Sequence, residues 1–542
     1  MLQNAGVSFA EKVAFSGIMI IFSVILTAML GFFVGIPLGP YSLLLPLAVF
    51  ALIAFLRDRQ LFYAILLHIG ILIIWALLCA LIYDTSFDGM SYQKQAVITL
   101  KEGWNPVYES CLTQNPFCSY LDIWVWLDNY PKGLWLFSAS IYALTNLLET
   151  AKAVNIIFLT CVFSLGYDIL RTVFRASKGK SLLFALLFSI NPVFLQQLFT
   201  FYNDLAVGAL LLLAAMIGIK LYEEHASKYT YLLLFATIGV SCTVKFTAPA
   251  LVGLVLLAFG VCYTIKHRKT PRRLRLPVIV VLSAYLAGVL VLGFNPYIVH
   301  LIQGKHILHP LMGGEKYDIM SVNTPQTLQG KTELEKLFVS LFSVSENENA
   351  PAQYKIPFTM SAAEWEDIGM ADPRIGGFGM LFSGALCLSV LLALIAAVSK
   401  TKMRASVAIT LCVFAALGLF FPESWWARYA SYLYYIPVFL ILYASNMRAL
   451  KWPMAVAYLI LIVNSCTVFA SMAALRTRDT QYIRGLLHEI KADGRPVVVR
   501  FNDFPSHIAW FCEQGIRFEV SHDGLDDPFD FYGTTFYQYR DE

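Results

Sequence analysis

Val13-Ala-Phe-Ser-Gly-Ile-Met-Ile-Ile-Phe-Ser-Val-Ile-Leu-Thr-Ala-Met-Leu-Gly-Phe-Phe-Val-Gly-Ile36 carries no charged residue. An α-helix rises about 1.5 Å per residue, so a run of this length reaches across the roughly 30 Å hydrocarbon core of a bilayer. No small-residue cleavage pattern follows it, so it reads as a retained anchor rather than a signal peptide. Similar runs recur along the chain, and they give about 13 spans. These lie at roughly 13–36, 41–56, 61–83, 153–172, 180–199, 205–222, 229–246, 248–264, 276–294, 377–398, 405–421, 431–447 and 452–474. Gly35-Ile-Pro37, Asn191-Pro192, Pro249 and Pro422 punctuate them.

The composition agrees with that reading. Of 542 residues 58% are hydrophobic and 14% are charged, against about 25% charged in a soluble domain. Mean hydropathy is +0.64. These values exclude an array of soluble domains. The net charge of +4 says less than where the basic residues fall. With the N-terminus cytoplasmic, the inner turns hold Arg57 and Arg59; Arg171, Arg175, Lys178 and Lys180; Lys220 and Lys228; Lys266 to Arg275; Lys400 to Arg404; and Arg448 and Lys451. The short outer turns near 38, 202 and 427 hold only Arg428. Lys and Arg concentrate on the cytoplasmic side of membrane proteins, which sets this orientation.

The expected fold is therefore an all-α polytopic membrane protein with a small C-terminal α/β domain. Residues 1–60 read as an N-terminal transmembrane hairpin and 61–475 as the main transmembrane region. Its long outer loops are 84–152 and 295–376, and 476–542 lies outside with the C-terminus. In that last part a helix is expected over 479–492, a strand over 497–501, a helix near 506–514 and a strand over 516–520. No heptads and no repeat of 20–50 residues occur.

Charged and aromatic residues collect at the outer ends of the spans. Asp88 stands where the third span leaves the bilayer. A carboxylate there is partly desolvated and suited to accept a proton, although a helix cap or a loop acid has the same position. Tyr92 follows one helical turn later. Trp124, Trp126, Tyr130 and Trp135 suit the membrane interface, and the apolar segment 134–148 reads as a juxtamembrane helix lying on the outer surface. Lys132 then sits at headgroup depth, as a phosphate ligand or as a snorkelling side chain. Asp204 and Lys245 occupy neighbouring outer turns, where charge at membrane depth points to function or to a structural ion pair. Arg428, in Trp425-Trp-Ala-Arg428-Tyr429, has the geometry to clamp a phosphate with paired hydrogen bonds or to anchor the interface.

The loop after Asn295-Pro-Tyr297 contributes Tyr297, His306 and His309 as candidate substrate contacts. His306 and His309 are three apart, but Pro310 disfavours a helix there and no Glu or Cys completes a zinc set. A divalent metal stays an alternative that these residues do not support, and no cofactor is assigned. Residues 333–372 read as a mobile flap over the membrane surface. Most of the ten cysteines fall inside apolar runs. Cys111 and Cys118 share an outer loop, where either a disulfide or two thiols fit the spacing.

Together these features resemble the GT-C superfamily of membrane glycosyltransferases over roughly 61–475. The resemblance rests on Asp88 with Tyr92 after an early span, and on Tyr130-Pro-Lys132-Gly133 before the juxtamembrane helix. It also rests on Asp204, on Thr243-Val-Lys245, and on the Trp-Trp-Ala-Arg-Tyr turn. Gly89 stands where the family usually has Glu, and no Trp-Trp-Asp motif of oligosaccharyltransferases is present. The resemblance implies an inverting transfer on the outer face of the cytoplasmic membrane. The donor is a sugar on polyprenyl phosphate, the acceptor a cell-surface glycan or a lipid-linked glycan, and the surroundings membrane lipids. No nucleic acid is involved. Asp88 would be the catalytic base, and Arg428, Lys132 and Lys245 would bind the donor phosphate. Tyr92 and Asp204 would join Tyr297, His306 and His309 against substrate. A polysaccharide polymerase or ligase of another fold shares the substrate and the side. A transporter or flippase would instead place charges at the midplane of repeated halves.

Overall fold

A computed structural model describes residues 7–115, 123–314, 316–317, 322–346 and 352–540. Among them, seven helices are long and apolar enough to cross a membrane: Phe9–Phe33, Arg59–Ala80, Leu148–Thr172, Asp204–Tyr222, Thr247–Lys266, Pro271–Leu292 and Arg448–Asp493. Six shorter apolar helices accompany them: Tyr41–Arg57, Gly133–Thr145, Lys228–Val244, Phe382–Val398, Ala405–Phe420 and Ser431–Ala444. The chain is thus a mostly helical protein with several helices long and apolar enough to cross a membrane, and with a small C-terminal sheet. The expected run 180–199 is broken into Lys178–Ser189 and Pro192–Gln197. Proline has no N–H for the helical ladder and collides with the preceding turn. Asn191 heals the break: its side chain accepts the Val193 N–H at 3.0 Å and donates to the Ser431 carbonyl at 2.9 Å.

The first helix is central. Phe9–Phe33 packs against Arg59–Ala80, Leu148–Thr172 and Lys228–Val244. Unpaired charge is costly in such surroundings, and the buried ends of these helices pair theirs. Lys220 Nζ lies 2.9 Å from Glu11 and 2.5 Å from Asp168, and Lys12 lies 2.8 Å from Asp58. Lys220 and Asp204 belong to one helix, Asp204–Tyr222, and stand about 24 Å apart along it. Asp204 therefore marks the opposite end of the bundle.

Two expectations are corrected here. The helix Gly133–Thr145 is packed inside the protein rather than exposed on its surface: every residue from Gly133 to Tyr142 is buried. Its first turn approaches Lys228–Val244 so closely that a Cβ on Gly133 would collide with Thr243. The described part of 333–372 is packed rather than a loose flap. Glu333–Leu341 carries a capping box from Thr332 and Glu335, and a buried Lys355–Glu364 ion pair of 2.6 Å ties the loop to itself.

The end of the chain is one continuous helix, Lys451–Asp493, of 43 residues, about 65 Å long. It carries the expected span and the expected 479–492 helix without a break, and Gly494 ends it with a positive φ of 77°. Beyond it β1 (Val497–Arg500), β2 (Phe518–Val520), β3 (Phe529–Tyr532) and β4 (Thr535–Tyr539) form a sheet of order β2-β1-β4-β3. β1 and β2 are parallel across the helix Ile508–Gln514, and β4 runs antiparallel to both β1 and β3. This unit grips the loop after the third span. Ser506 Oγ donates to the Met90 carbonyl at 2.6 Å, Trp510 Nε1 donates to Glu149 at 3.1 Å, and the Tyr83 and Trp510 rings lie 4.9 Å apart.

Candidate functional site

The chain leaving Arg59–Ala80 is pinned before it reaches Asp88. The buried Asp84 carboxylate accepts the N–H groups of Ser86 and Phe201, each at 2.9 Å. Buried Lys94 donates to the Asp84 carbonyl at 2.7 Å and to Glu149 at 2.6 Å. Lys152 completes the ion-pair set on Glu149. Asp88 then opens a single π-helical turn, Gly89–Gln93, a local irregularity common at functional sites. The tightness explains Gly89: a Cβ there would collide with Asp84 and Ser86. A glutamate at this position has no room.

Four chain segments converge on Arg428. Its Nη1 is 3.1 Å from Asp88 Oδ2, and its Nε is 2.9 Å from Asp372 Oδ1 and 4.0 Å from Asp204 Oδ2. The Nε–H is not aligned on an acceptor, so the Asp372 contact is an ion pair rather than a hydrogen bond. Trp426 Nε1 donates to the same Asp372 oxygen at 2.7 Å. Lys245 Nζ lies 2.5 Å from Asp204 Oδ1. The guanidinium sits 5.0, 4.7 and 4.8 Å from the rings of Tyr202, Trp426 and Tyr429, and Lys245 is 4.2 Å from the Tyr429 ring. Aromatic faces at these distances stabilise cations in dry surroundings.

These groups line a cavity of about 790 Å³. Its charged wall consists of the cations Lys245, Lys316, Arg374 and Arg428 and the carboxylates Asp88, Asp204 and Asp372. Among the described residues one positive charge is left over, which suits an anionic ligand. Tyr92, Trp126, Tyr130 and Tyr317 form an aromatic side, with the Tyr92 and Trp126 rings 6.0 Å apart. Burial holds the Asp88 carboxyl above its ordinary range, and the Arg428 charge opposes that rise.

The structure thus brings together Asp88, Tyr92, Asp204, Lys245 and Arg428. It does not bring the other sequence candidates to the cavity. Lys132 is buried and turned inward, donating to the carbonyls of Asp128 and Tyr130 at 2.9 Å each and to Asn295 Oδ1 at 2.6 Å. Burial lowers its pKa to about 7. With its ammonium caged by three oxygens it offers no donor to a phosphate. Tyr297 is buried with its ring 5.7 Å from Phe246. His306 is exposed and accepts the Leu308 N–H at 3.1 Å, while His309 packs edge-on to His300 at 5.6 Å. From that loop Leu311, Lys316, Tyr317 and Asn323 reach the cavity, and its far end adds Asp372 and Arg374. Among the described residues no group of three or more His, Cys, Asp or Glu side chains is arranged to hold a metal ion. Cys111 is buried, and Cys118 lies outside the described residues.

Sequence reasoning missed Asp372, Tyr202 and Arg374. The signal for Asp372 was its place in Asp372-Pro-Arg374, an acid and a base flanking a proline just before an apolar run. Tyr202 gave none, being one aromatic among many. Comparison with protein-family models, with curated proteins and with solved structures finds no match to this chain.

Proposed function

We propose that this chain is an inverting glycosyltransferase that moves a sugar from a polyprenyl-phosphate donor to a glycan or lipid-linked acceptor. The observation that carries the reading is the convergence of one carboxylate and two paired cations on a single aromatic-walled cavity: Asp88, Arg428 and Lys245. A carboxylate lifted by burial suits proton abstraction from a hydroxyl. A guanidinium and an ammonium suit a phosphate leaving group.

In this reaction Asp88 takes the proton of the acceptor hydroxyl. The acceptor oxygen bonds to the anomeric carbon from the face opposite the phosphate. The carbon–oxygen bond to phosphate breaks, and its electron pair stays on the phosphate oxygen, so the configuration inverts. Polyprenyl phosphate leaves as an anion and needs no general acid. Before donor binds, Arg428 is shared between Asp88 and Asp372. A donor phosphate competes for the guanidinium and frees Asp88 to act as base. Tyr92 and Trp126 offer ring faces to the sugar. Leu311, Lys316 and Tyr317 bring the 295–376 loop against the acceptor, and closure there excludes water.

The membrane arrangement belongs to the same proposal: about 13 spans, an N-terminus in the cytoplasm, and the cavity, the sheet and the C-terminus outside the cytoplasmic membrane. It is supported by the basic turns opposite the cavity. The C-terminal unit, braced on Met90, then stands beside the site, where it positions a polymeric acceptor.

The test reconstitutes the full-length protein in liposomes with a panel of polyprenyl-phosphate-linked hexoses and pentoses and an extract of envelope glycans. The expected result is protein-dependent release of polyprenyl phosphate from one donor. In parallel, exposed Phe87 is replaced, Phe87→Cys, and treated in intact cells with a membrane-impermeant maleimide. Labelling above the parent protein is expected. Labelling that requires permeabilised cells contradicts the outer placement.

A further inference from the structure

A second cavity, of about 660 Å³, is almost wholly apolar and lies between Thr247–Lys266 and Pro271–Leu292. Its origin is in the packing. Thr247–Lys266 rests on Asp204–Tyr222, whereas Pro271–Leu292 rests on Lys228–Val244. The two outer helices straddle a gap whose floor includes Gly218 and Leu234. Their apolar windows are only 28% and 11% buried, so the gap faces the bilayer. From Gly253 to Ile265 it extends about 18 Å along the helix, close to the roughly 15 Å depth of one leaflet.

The groove ends at the most basic turn of the chain, Lys266 to Arg275. Lys266 and Arg273 are occupied by Glu224, at 3.4 and 2.7 Å. Arg268, Lys269 and Arg272 are exposed and make no ion pair among the described residues. One leaflet's depth of hydrocarbon surface, closed by unpaired cations at headgroup level, matches a lipid with an anionic head. We propose that this groove is a binding site for one anionic phospholipid, with its acyl chains along Leu257 and Val261 and its phosphate against Arg268, Lys269 and Arg272. The lipid fills the gap between the two helices. The site is separate from the sugar-transfer cavity, and the proposal does not depend on which face of the membrane the turn occupies.

Gly260 makes the proposal testable, because a Cβ there meets open space within 4 Å. A side chain at 260 starts in open space and grows into the groove, because Gly260 lines it. The full-length protein is titrated with dioleoylphosphatidylglycerol or dioleoylphosphatidylcholine and read by native mass spectrometry. Each basic side chain near the surface adds to the attraction for an anionic lipid. The wild type is therefore expected to retain one phosphatidylglycerol at least about tenfold more tightly than phosphatidylcholine. G260W is expected to lose that bound lipid. Replacing Arg268, Lys269 and Arg272 by Gln is expected to reduce phosphatidylglycerol to the level of phosphatidylcholine, with phosphatidylcholine binding unchanged. These three are surface residues, so this variant carries the test should G260W fold poorly. Equal retention of both lipids by the wild type, or undiminished selectivity in the triple variant, marks ordinary unselective lipid contact and overturns the proposal. So does undiminished phosphatidylglycerol retention in folded G260W.

Discussion

The Arg428 guanidinium lies 3.1 Å from the Asp88 carboxylate, although 340 residues separate them in the chain. The same guanidinium reaches Asp372 at 2.9 Å, so one planar cation spans two acids. A lysine would meet both acids from one compact point, whereas the guanidinium reaches them from two different nitrogens. Arg428→Ala leaves Asp88 and Asp372 without their shared cation. Removing one partner of a buried pair costs about 3–5 kcal/mol, so a lower melting temperature and lost transfer are expected. Arg428→Lys keeps the charge and should fold, but turnover should fall about 100-fold or more, as when a transition-state donor is removed. Melting and turnover measured on both variants check this; wild-type turnover in Arg428→Lys contradicts the phosphate role.

Asp372 adds to the basicity that burial gives Asp88. Burial raises the Asp88 pKa above 3.8, the Arg428 charge lowers it, and the Asp372 charge raises it. A base must be ionised to act, so transfer rises as pH rises through the Asp88 pKa. The acid limb of the rate profile is therefore expected above the ordinary aspartate range. Asp372→Asn removes the neighbouring negative charge and leaves Arg428 more fully to Asp88. The limb should then move to lower pH. An unmoved limb in a folded Asp372→Asn protein shows that Asp88 is not the titrating base.

Lys132 is expected to behave as a structural residue. Lys132→Ala strands two carbonyls and the Asn295 side chain that the ammonium now satisfies. Buried acceptors left unmade cost about 1–3 kcal/mol each, so with three of them stranded stability should drop by roughly 3 kcal/mol or more. The donor KM of the surviving protein should not change. A raised KM with unchanged melting would return Lys132 to the donor site.

How much of this was legible in the sequence depends on where each residue stands. Asp88, Asp204, Lys245 and Arg428 each sit at the end of an apolar run, where a charge is conspicuous. Asp372 sits in a polar stretch where acids are common, and it is the Trp426 indole and the Arg428 guanidinium, beside its near neighbour Arg374, that single it out. Lys132 has the spacing of an interface residue, yet its position follows from a cage of carbonyls assembled by tertiary packing. The last helix was divided at the change from apolar to polar composition near Arg476. No proline interrupts it between Pro453 and Pro496, so the backbone ladder continues through that change. The hairpin of β3 and β4 was missed because its signal is short: Gly533, at φ 61°, in the turn between two aromatic strands.

The C-terminal unit should loosen as pH rises. Glu513 accepts the Leu148 N–H at 2.7 Å, and burial lifts its pKa from 4.5 to about 7. Between those values the folded protein holds a proton that the unfolded chain releases. Stability therefore falls as pH rises from about 4.5 to 7. Glu513→Gln carries no titrating proton and should flatten that part of the profile. Melting curves of both proteins between pH 5 and pH 8 check this, and parallel curves contradict it.

The central claim is that Asp88 takes the acceptor proton in a transfer from polyprenyl phosphate. The most direct measurement is transfer by Asp88→Asn in liposomes, beside the wild type at matched abundance and matched melting behaviour. An amide keeps the shape of the carboxylate and cannot accept that proton. The account predicts that polyprenyl phosphate release falls about 1,000-fold or more, with donor binding retained. Full release by a folded Asp88→Asn protein would contradict it.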